Sequence, residues 1–261
     1  MFLRPEYLFD YPIITVGIAV IVFCFGACIG SFLNVVIFRI PKGESLVKSN
    51  SHCMTCGEPI KWYDLFPIFS WLALRGKCRG CGEKISRRYP LVESLTGLVF
   101  VATLFKFSLS WAFIITAVFF SVIIATAFMD WDTQEMDVPI LLIGGVLSVP
   151  AYFLTDIATL KERLIGAVIV SIPFLIIALI TKGIGMGDVI LMACAGAYLG
   201  YKGIVVAAFF GIIIAAVVGV IIKKVKKQSK FAFGPWLCIG IFFGTLFGNQ
   251  LFDMYASLLR V

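Results

Sequence analysis

The chain has 261 residues, of which 61% are hydrophobic and only 14% are charged. A soluble domain carries roughly 25% charged residues, so this composition excludes an ordinary soluble protein and places most of the chain in lipid. The formal net charge of +7 does not indicate nucleic-acid binding, because the basic residues are distributed over the loops between apolar segments.

The first apolar segment runs from Ile13 to Phe38 and is too long for the apolar core of a signal peptide. Glu6 and Asp10 precede it, where a signal peptide would carry basic residues. We therefore predict a retained first transmembrane helix.

The only sizeable polar interval, residues 41–88, contains two Cys-x2-Cys pairs separated by 21 residues. Four thiolates in two tight turns favour a structural zinc site, with two disulfides as the alternative if the interval is not in a reducing compartment. Four sulfur ligands leave no open coordination position, so the metal would serve folding and not catalysis. The predicted ligands are Cys53, Cys56, Cys78 and Cys81.

The remaining apolar segments predict an all-α polytopic membrane protein with about eight transmembrane helices and a small zinc-ribbon-like cytoplasmic insert. The predicted domains are a first span at 1–40, the metal-binding insert at 41–88 and a transmembrane domain at 89–261. The predicted spans are 13–38, 89–105, 110–129, 139–155, 164–181, 189–201, 203–222 and 232–250.

The distribution of basic residues predicts the topology. If the insert is cytoplasmic, alternation of the spans puts 16 of the 22 Lys and Arg residues on the cytoplasmic side. Cytoplasmic loops carry the excess of basic residues, so both termini are expected outside. The same alternation places Asp130, at the end of the third span, and Asp188, at the start of the sixth, at the cytoplasmic face.

Acidic residues at the membrane are costly, so this pair of aspartates indicates a function. The alternative for Asp188, which follows Gly183-Ile-Gly-Met-Gly187, is an ordinary helix N-cap. The glycines of that segment are expected to allow positive φ and to hold an extended peptide against Gly185, Met186 and Gly187. A solvated loop with helix-capping acids is favoured for the remaining acidic residues of the cluster, which are Asp132, Glu135 and Asp137.

Two carboxyls about 3 Å apart can hydrolyse a peptide, because like charges resist simultaneous ionisation and leave one acid beside one base. A helix N-terminus stabilises an anion, so Asp188 is predicted to be the base. Asp130, at a helix C-terminus, is predicted to be the acid.

Several motifs in this order resemble the type IV prepilin peptidases over nearly the whole chain. They are Gly30-Ser-Phe-Leu-Asn34 with Arg39-Ile-Pro41, the paired Cys-x2-Cys insert, Arg88-Tyr-Pro-Leu-Val-Glu93, Asp130, Gly185-Met-Gly187-Asp188 and Phe233-Gly-Pro235. One departure is Met136-Asp137-Val138-Pro139, where many members carry Pro-Asp, and it leaves the role of Asp137 open.

The resemblance implies an inner- or plasma-membrane enzyme that cuts the basic leader from prepilins or pseudopilins. It also implies N-methylation of the new terminus from S-adenosylmethionine, with Asp130 and Asp188 as the protease carboxylates. Residues of the N-terminal part would then bind the cofactor. Their alternatives are helix packing for Gly30, an interhelical hydrogen bond for Asn34 and a snorkelling cation for Arg39. The candidate cofactor residues are Gly30, Asn34, Arg39, Arg88 and Glu93.

Overall fold

The computed structural model describes residues 11–47, 51–181, 183–226 and 231–258. These residues form ten α-helices and two short 3-10 helices, at Ile40–Lys42 and Trp62–Leu65. The described residues contain no β-strand, and two isolated bridges close the cysteine turns. The helices are α1 Pro12–Arg39, α2 Phe69–Ala73, α3 Arg88–Phe107, α4 Trp111–Thr133, α5 Val138–Val146, α6 Ser148–Leu154, α7 Leu160–Ile169, α8 Ser171–Thr181, α9 Met186–Lys226 and α10 Gly234–Leu258.

Six helical segments of the described chain are long and apolar enough to cross a membrane, which confirms the all-helical, multi-pass prediction. The predicted fourth span corresponds to a shorter apolar segment, Val138–Leu154. The predicted sixth and seventh spans lie together in α9, which contains non-helical backbone at Gly200 with φ 77°. Glycine is suited to that conformation because it lacks a Cβ. The count of eight spans therefore depends on how these two regions are divided.

The chain forms two compact units, which divide between Phe113 and Ile114. In the first unit, α1 packs closely against α3. A Cβ at Gly30 would lie 2.7 Å from the Cα of Glu93, so only glycine permits this approach of the two helices. The structure therefore shows the helix-packing alternative for Gly30. The predicted division into domains at residues 88 and 89 stays a prediction.

In the second unit, a buried arginine stabilises the half of α9 that precedes Gly200. Arg163 Nη1 donates to the carbonyl of Tyr198 at 2.8 Å, and its Nε donates to the carbonyl of Ala158 at 3.0 Å. Arg163 thus supplies a side-chain donor to a carbonyl two residues before the break at Gly200. This contact fixes the C-terminal end of the half-helix whose first turn carries Asp188.

Candidate functional site

Asp130 lies in the last turn of α4, as predicted, and its side chain is buried. Its Oδ2 accepts a hydrogen bond from the backbone N–H of Gly234 at 3.0 Å. Gly234 is the first residue of α10, so the positive end of that helix faces the carboxylate. Asp130 therefore lies at the C-terminus of one helix and at the N-terminus of another.

Asp188 is the third residue of α9 and is also buried. Its Oδ2 accepts from the N–H of Gly185 at 3.2 Å, as the acidic member of a capping box does. Asp188 is therefore not the N-cap that was its alternative role, because it lies inside the first turn and bonds back to the residue before the helix. The other carboxylate oxygen, Oδ1, is buried without a hydrogen-bond partner among the described residues. A buried carboxylate oxygen without a donor is costly, so Oδ1 is suited to receive a hydrogen bond from water or substrate.

The two aspartates belong to one site. The carboxylates of Asp130 and Asp188 are close enough for their charges to interact. Both charges also interact with the buried thiol of Cys238 in α10. Helices α4, α9 and α10 thus supply the two carboxylates and one of the backbone donors. The structure brings together the two residues that the sequence singled out.

Met136, in the loop after α4, forms a wall of this site. A Cβ at Gly187 would lie 2.9 Å from the Cβ of Met136, and a Cβ at Gly234 would collide with its Cε. The thioether therefore packs between the glycine that precedes Asp188 and the glycine that donates to Asp130. Met136 is partly exposed, so its flexible side chain borders an approach to the carboxylates.

The glycine segment before Asp188 differs from the expectation in one respect. Positive φ was expected there, but the described glycines with positive φ are elsewhere in the chain. The reason is that α9 already begins at Met186, so Gly187 has helical backbone. Gly187 is therefore required for its small size, which allows the close contact with Met136, and not for its backbone freedom. Gly185 and Met186 are exposed beside it.

The loop between α4 and α5 confirms the capping role of one of the other acidic residues. Asp137 is the N-cap of α5, and its carboxylate accepts from the N–H of Ile140 at 3.1 Å. The role left open by the displaced Pro-Asp motif is therefore structural. Asp132 and Glu135 are exposed.

The four predicted cysteines of the insert converge. Their sulfur atoms all lie within 4.8 Å of one another, and Cys53 Sγ is 3.8 Å from Cys81 Sγ. Zinc–sulfur bonds of about 2.3 Å give a tetrahedron with sulfur–sulfur edges of about 3.8 Å, so the cluster fits a four-coordinate metal. All four are free thiols, which does not support the disulfide alternative.

Matching backbone turns position the two cysteine pairs. Gly57 N–H donates to the carbonyl of Cys53 at 2.9 Å, and Gly82 N–H donates to that of Cys78 at 3.0 Å. The two glycines have φ of 72° and 74°. The turn predicted after each pair therefore requires the left-handed conformation that glycine adopts without strain.

The electrostatics of the cluster favour a cation. Backbone N–H groups of Cys56 and Thr55 lower the pKa of Cys53 to about 6. For Cys81, the Glu83 N–H acts in the same direction, but burial and the three neighbouring thiols outweigh it and raise the pKa to about 12. Four adjacent thiolates repel one another, and a bound cation removes that repulsion.

A second candidate site in the first unit is a cavity of about 730 Å³, bordered by α1, α3 and the insert. Asn34, Arg39 and Glu93, three of the candidate cofactor residues, line this cavity. Arg88 is the first residue of α3, beside Tyr89, which also lines it. Gly30 lies instead in the contact between α1 and α3.

The cavity-lining polar residues also position backbone. Asn34 Nδ2 donates to the carbonyl of Tyr89 at 3.2 Å, which is the interhelical hydrogen bond considered as its alternative role. Glu93 Oε2 accepts from the N–H of Ile68 at 2.7 Å. Ile68 has φ 63°, a strained conformation for a β-branched residue. Glu93 therefore holds a strained turn of the insert over the cavity.

Three positions of the two candidate sites were not singled out from the residues alone: Gly234, Met136 and Ile68. Gly234 lies within the Phe233-Gly-Pro235 motif, which contributed to the resemblance without an assigned role. Its contact with Asp130 spans 104 positions, so local spacing carries no signal for it. The turn signal at Pro67 precedes Ile68 but does not predict positive φ at an isoleucine.

Comparison with known proteins agrees with these two sites. Residues 24–107 match the family described as Bacterial Peptidase A24 N-terminal domain, and residues 117–220 match the Type IV leader peptidase family. The first match contains the cavity and the cysteine cluster, and the second contains both aspartates. No solved structure matches the chain significantly.

Curated relatives extend the match. A prepilin leader peptidase/N-methyltransferase of Myxococcus xanthus is 38% identical over 74% of this chain and 59% of its own length. Proteins of the same name from Neisseria gonorrhoeae and Aeromonas hydrophila are 31% and 33% identical, over 85% and 93% of their lengths. The corresponding shares of this chain are 82% and 91%. The chain belongs to the type IV leader peptidase family.

Proposed function

We propose that the chain is a bifunctional enzyme that cleaves the leader of prepilins or pseudopilins and then N-methylates the new terminal residue. The observation that carries the peptidase assignment is the buried pair of Asp130 and Asp188, each bonded to a backbone N–H. Relatives named prepilin leader peptidase/N-methyltransferase support both activities.

Cleavage uses a water molecule between the two carboxyls, which together hold one proton. Asp188 takes a proton from the water, and the resulting hydroxide attacks the scissile carbonyl carbon. Asp130 gives its proton to the carbonyl oxygen, which forms a tetrahedral diol. The diol then collapses as a proton passes from Asp188 to the leaving amine and another returns from the diol to Asp130. No covalent enzyme intermediate forms.

The base role of Asp188 rests on its Oδ1, which is buried, has no hydrogen-bond partner among the described groups and can therefore accept a hydrogen bond from a water molecule brought in with the substrate. The helix dipoles alone do not assign the base role to Asp188 and the acid role to Asp130, as the sequence suggested. The reason is that the N-terminus of α10 also faces Asp130. Apparent pKa values would belong to the pair. Gly185, Met186 and Gly187 are proposed to border the bound substrate chain, since they adjoin Asp188 and are at least partly exposed.

The enzyme is proposed to lie in the inner or plasma membrane with the cysteine insert and the aspartates at the cytoplasmic face and both termini outside. The excess of Lys and Arg in the corresponding loops supports this orientation. A basic leader would remain at the anionic cytoplasmic surface while the apolar part of the substrate lies in lipid. The domains are proposed to be 1–40, 41–88 and 89–261.

The four cysteines are proposed to hold zinc, which would fold the insert and take no part in cleavage. The 730 Å³ cavity is proposed to bind S-adenosylmethionine, which supplies the methyl group. Asn34, Arg39 and Glu93 line that cavity and fix its backbone. Arg88 and Gly30 would act by placing α3 against α1.

The test measures both reactions on one purified preparation, with a prepilin as substrate and mass spectrometry as readout. We expect leader cleavage without S-adenosylmethionine, and addition of one methyl group only when it is present. Asp130→Ala and Asp188→Ala should each abolish cleavage. The matched control is Asp137→Ala, which removes a nearby carboxylate that only caps α5. Cleavage retained in either active-site variant would disprove the assignment.

A further inference from the structure

Residues 61–74 of the insert form a segment with two different faces. One face borders the 730 Å³ cavity through residues that include Leu65, Trp71 and Leu74. The segment also has what is here called the outer face, which is defined as its four large side chains that do not line the cavity. They are Trp62, Tyr63, Phe69 and Leu72, with exposed fractions of 75%, 41%, 69% and 58%.

These four exposed side chains are large and mostly apolar, whereas the exposed residues of a solvated loop are usually polar. Scattered single apolar residues are ordinary on a surface, but a group of this kind marks an interaction site. Trp62 and Tyr63 contact each other with ring centroids 5.6 Å apart. The short helix α2 places Phe69 and Leu72 three residues apart, and therefore on the same side.

Two exposed cations lie beside the Tyr63 ring of the outer face, and both also border the cavity. The Lys61 ammonium is 5.8 Å and the Arg79 guanidinium 5.4 Å from the centroid of the Tyr63 ring. Arg79 is held there by two hydrogen bonds to Asp64, of 2.8 and 2.6 Å. Residues 41–88 contain nine Lys and Arg and four Asp and Glu, so the insert has a net charge of +5.

The insert cannot move far from the bilayer. It begins directly after one candidate membrane segment, Pro12–Lys42, and ends where the next, Arg88–Phe107, begins. Exposed Trp and Tyr next to Lys and Arg are the residues typical of the membrane–water interface. Anionic lipid headgroups attract such cations when they lie close to the surface.

We propose that the outer face is a lipid-docking surface that lies in the headgroup region of an anionic bilayer. The ring and alkyl side chains enter the boundary between headgroups and acyl chains, and Lys61 and Arg79 contact lipid phosphates. Docking holds the cavity-lining residues of the same segment, such as Trp71, in place. This proposal does not depend on the reaction that the enzyme catalyses.

The experiment uses the full chain reconstituted in vesicles of phosphatidylglycerol with phosphatidylcholine, with or without bromine atoms high on the acyl chains. The fluorescence emission of Trp62 is obtained by subtracting the emission of the Trp62→Phe variant from that of the unmodified protein. The matched control is Trp71, measured with Trp71→Phe. It lies in the same segment but lines the cavity and donates to the carbonyl of Ile85 at 3.2 Å.

We expect brominated lipid to remove the Trp62 emission and to leave that of Trp71 unchanged. In Phe69→Ser/Leu72→Ser, quenching of Trp62 should be lost while the metal content of the insert stays the same. Trp62 quenched by aqueous acrylamide but not by brominated lipid would mean a solvated face and overturn the proposal. Protection from both quenchers would mean that protein covers the face, either another segment or a second copy, and would also overturn it.

Discussion

The backbone N–H of Gly234 donates to Oδ2 of Asp130 across 3.0 Å. This contact joins the end of α4 to the start of α10 and directs the positive end of α10 at one of the two proposed active-site carboxylates. A hydrogen bond to the charged form favours ionisation, so the contact helps to decide how the pair shares its proton. Gly234 is thus a part of the proposed catalytic geometry, although it carries no reactive group.

Gly234→Ala should impair cleavage without impairing methylation. The added Cβ would collide with Met136 Cε and lie 2.7 Å from Asp130 Oδ2, so the flexible Met136 side chain must move and the carboxylate or the start of α10 must also shift. Displacement of a catalytic group by about 1 Å can cost about 100-fold in rate, and we expect a fall of that order in kcat. The measurement is single-turnover cleavage of a prepilin, followed by methylation of a substrate that already lacks its leader.

The matched control for that variant is Gly219→Ala in α9. A Cβ there meets only ring atoms of Phe231 at 3.8 Å or more, which is ordinary contact. This variant should cleave at the unmodified rate. Equal losses in the two variants would show that any added methyl group disturbs the second unit, and the specific role of Gly234 would be rejected.

Gly187→Ala and Met136→Ala should be coupled. A Cβ at Gly187 would lie 2.9 Å from the Cβ of Met136 and 3.1 Å from its Cγ and Sδ. Gly187→Ala alone should therefore slow cleavage, and shortening Met136 removes two of the three close contacts. Residues in contact show coupling energies of about 0.5–3 kcal/mol, so the double variant should be more active than the sum of the single effects predicts.

The test of this coupling is a double-mutant cycle on kcat/KM for leader cleavage. Met136→Ala combined with Gly219→Ala is the control pair, because Gly219 contacts Phe231 and not Met136. Additive effects of Gly187→Ala and Met136→Ala would show that Met136 does not form the wall of the site that the packing indicates.

The sequence predicted those parts of the site that depend on local rules. The Cys-x2-Cys spacing and the following glycines contain the information for the two turns, so the sulfur cluster was predictable. The cost of a carboxylate near lipid singled out Asp130 and Asp188. Asp137 also followed a local rule, since a side-chain oxygen three residues before an apolar helix residue is an N-cap signal.

Tertiary contacts decided the remainder. Residues 130 and 234 are 104 positions apart, and no periodicity links them. The positive φ of Ile68 depends on a carboxylate 25 positions away, against the preference of a β-branched residue. The number of spans was uncertain for a similar reason, because Val138–Leu154 is short and α9 changes conformation at a single glycine.

Removal of the metal should unfold the insert and stop methylation before it affects cleavage. Each of the substitutions Cys53→Ser and Cys78→Ser takes away one of four converging sulfurs. A structural metal site contributes folding free energy directly, so either variant should lose its bound metal and its methyl transfer. Metal content by atomic emission and the two activities are the measurements.

Cys28→Ser is the control for these variants, since Cys28 is an exposed residue of α1 outside the cluster. It should retain one metal ion per chain and both activities. A Cys53→Ser variant that keeps its metal, or one that loses cleavage and methylation equally, would contradict a structural role confined to the insert.

Glu93→Ala should weaken methyl transfer by releasing the strained turn at Ile68. The carboxylate accepts the Ile68 N–H at 2.7 Å, and its loss leaves that donor without this acceptor. An unsatisfied buried donor costs about 1–3 kcal/mol, which corresponds to roughly 5- to 160-fold in S-adenosylmethionine affinity if the turn closes the cavity. Glu93→Gln keeps an acceptor oxygen and should retain most of the affinity. Titration calorimetry on the full chain measures the binding, and leader cleavage should not change.

A second substitution separates positioning from direct contact with the cofactor. Ile68→Gly removes the strain at φ 63°, because glycine adopts this conformation readily. If Glu93 acts by holding the turn, Glu93→Ala should cost less in the Ile68→Gly background than in the unmodified chain. Glu44→Ala, which removes an exposed carboxylate that also lines the cavity, should leave affinity unchanged. An undiminished loss in the Ile68→Gly background would mean that the Glu93 carboxylate contacts the cofactor itself.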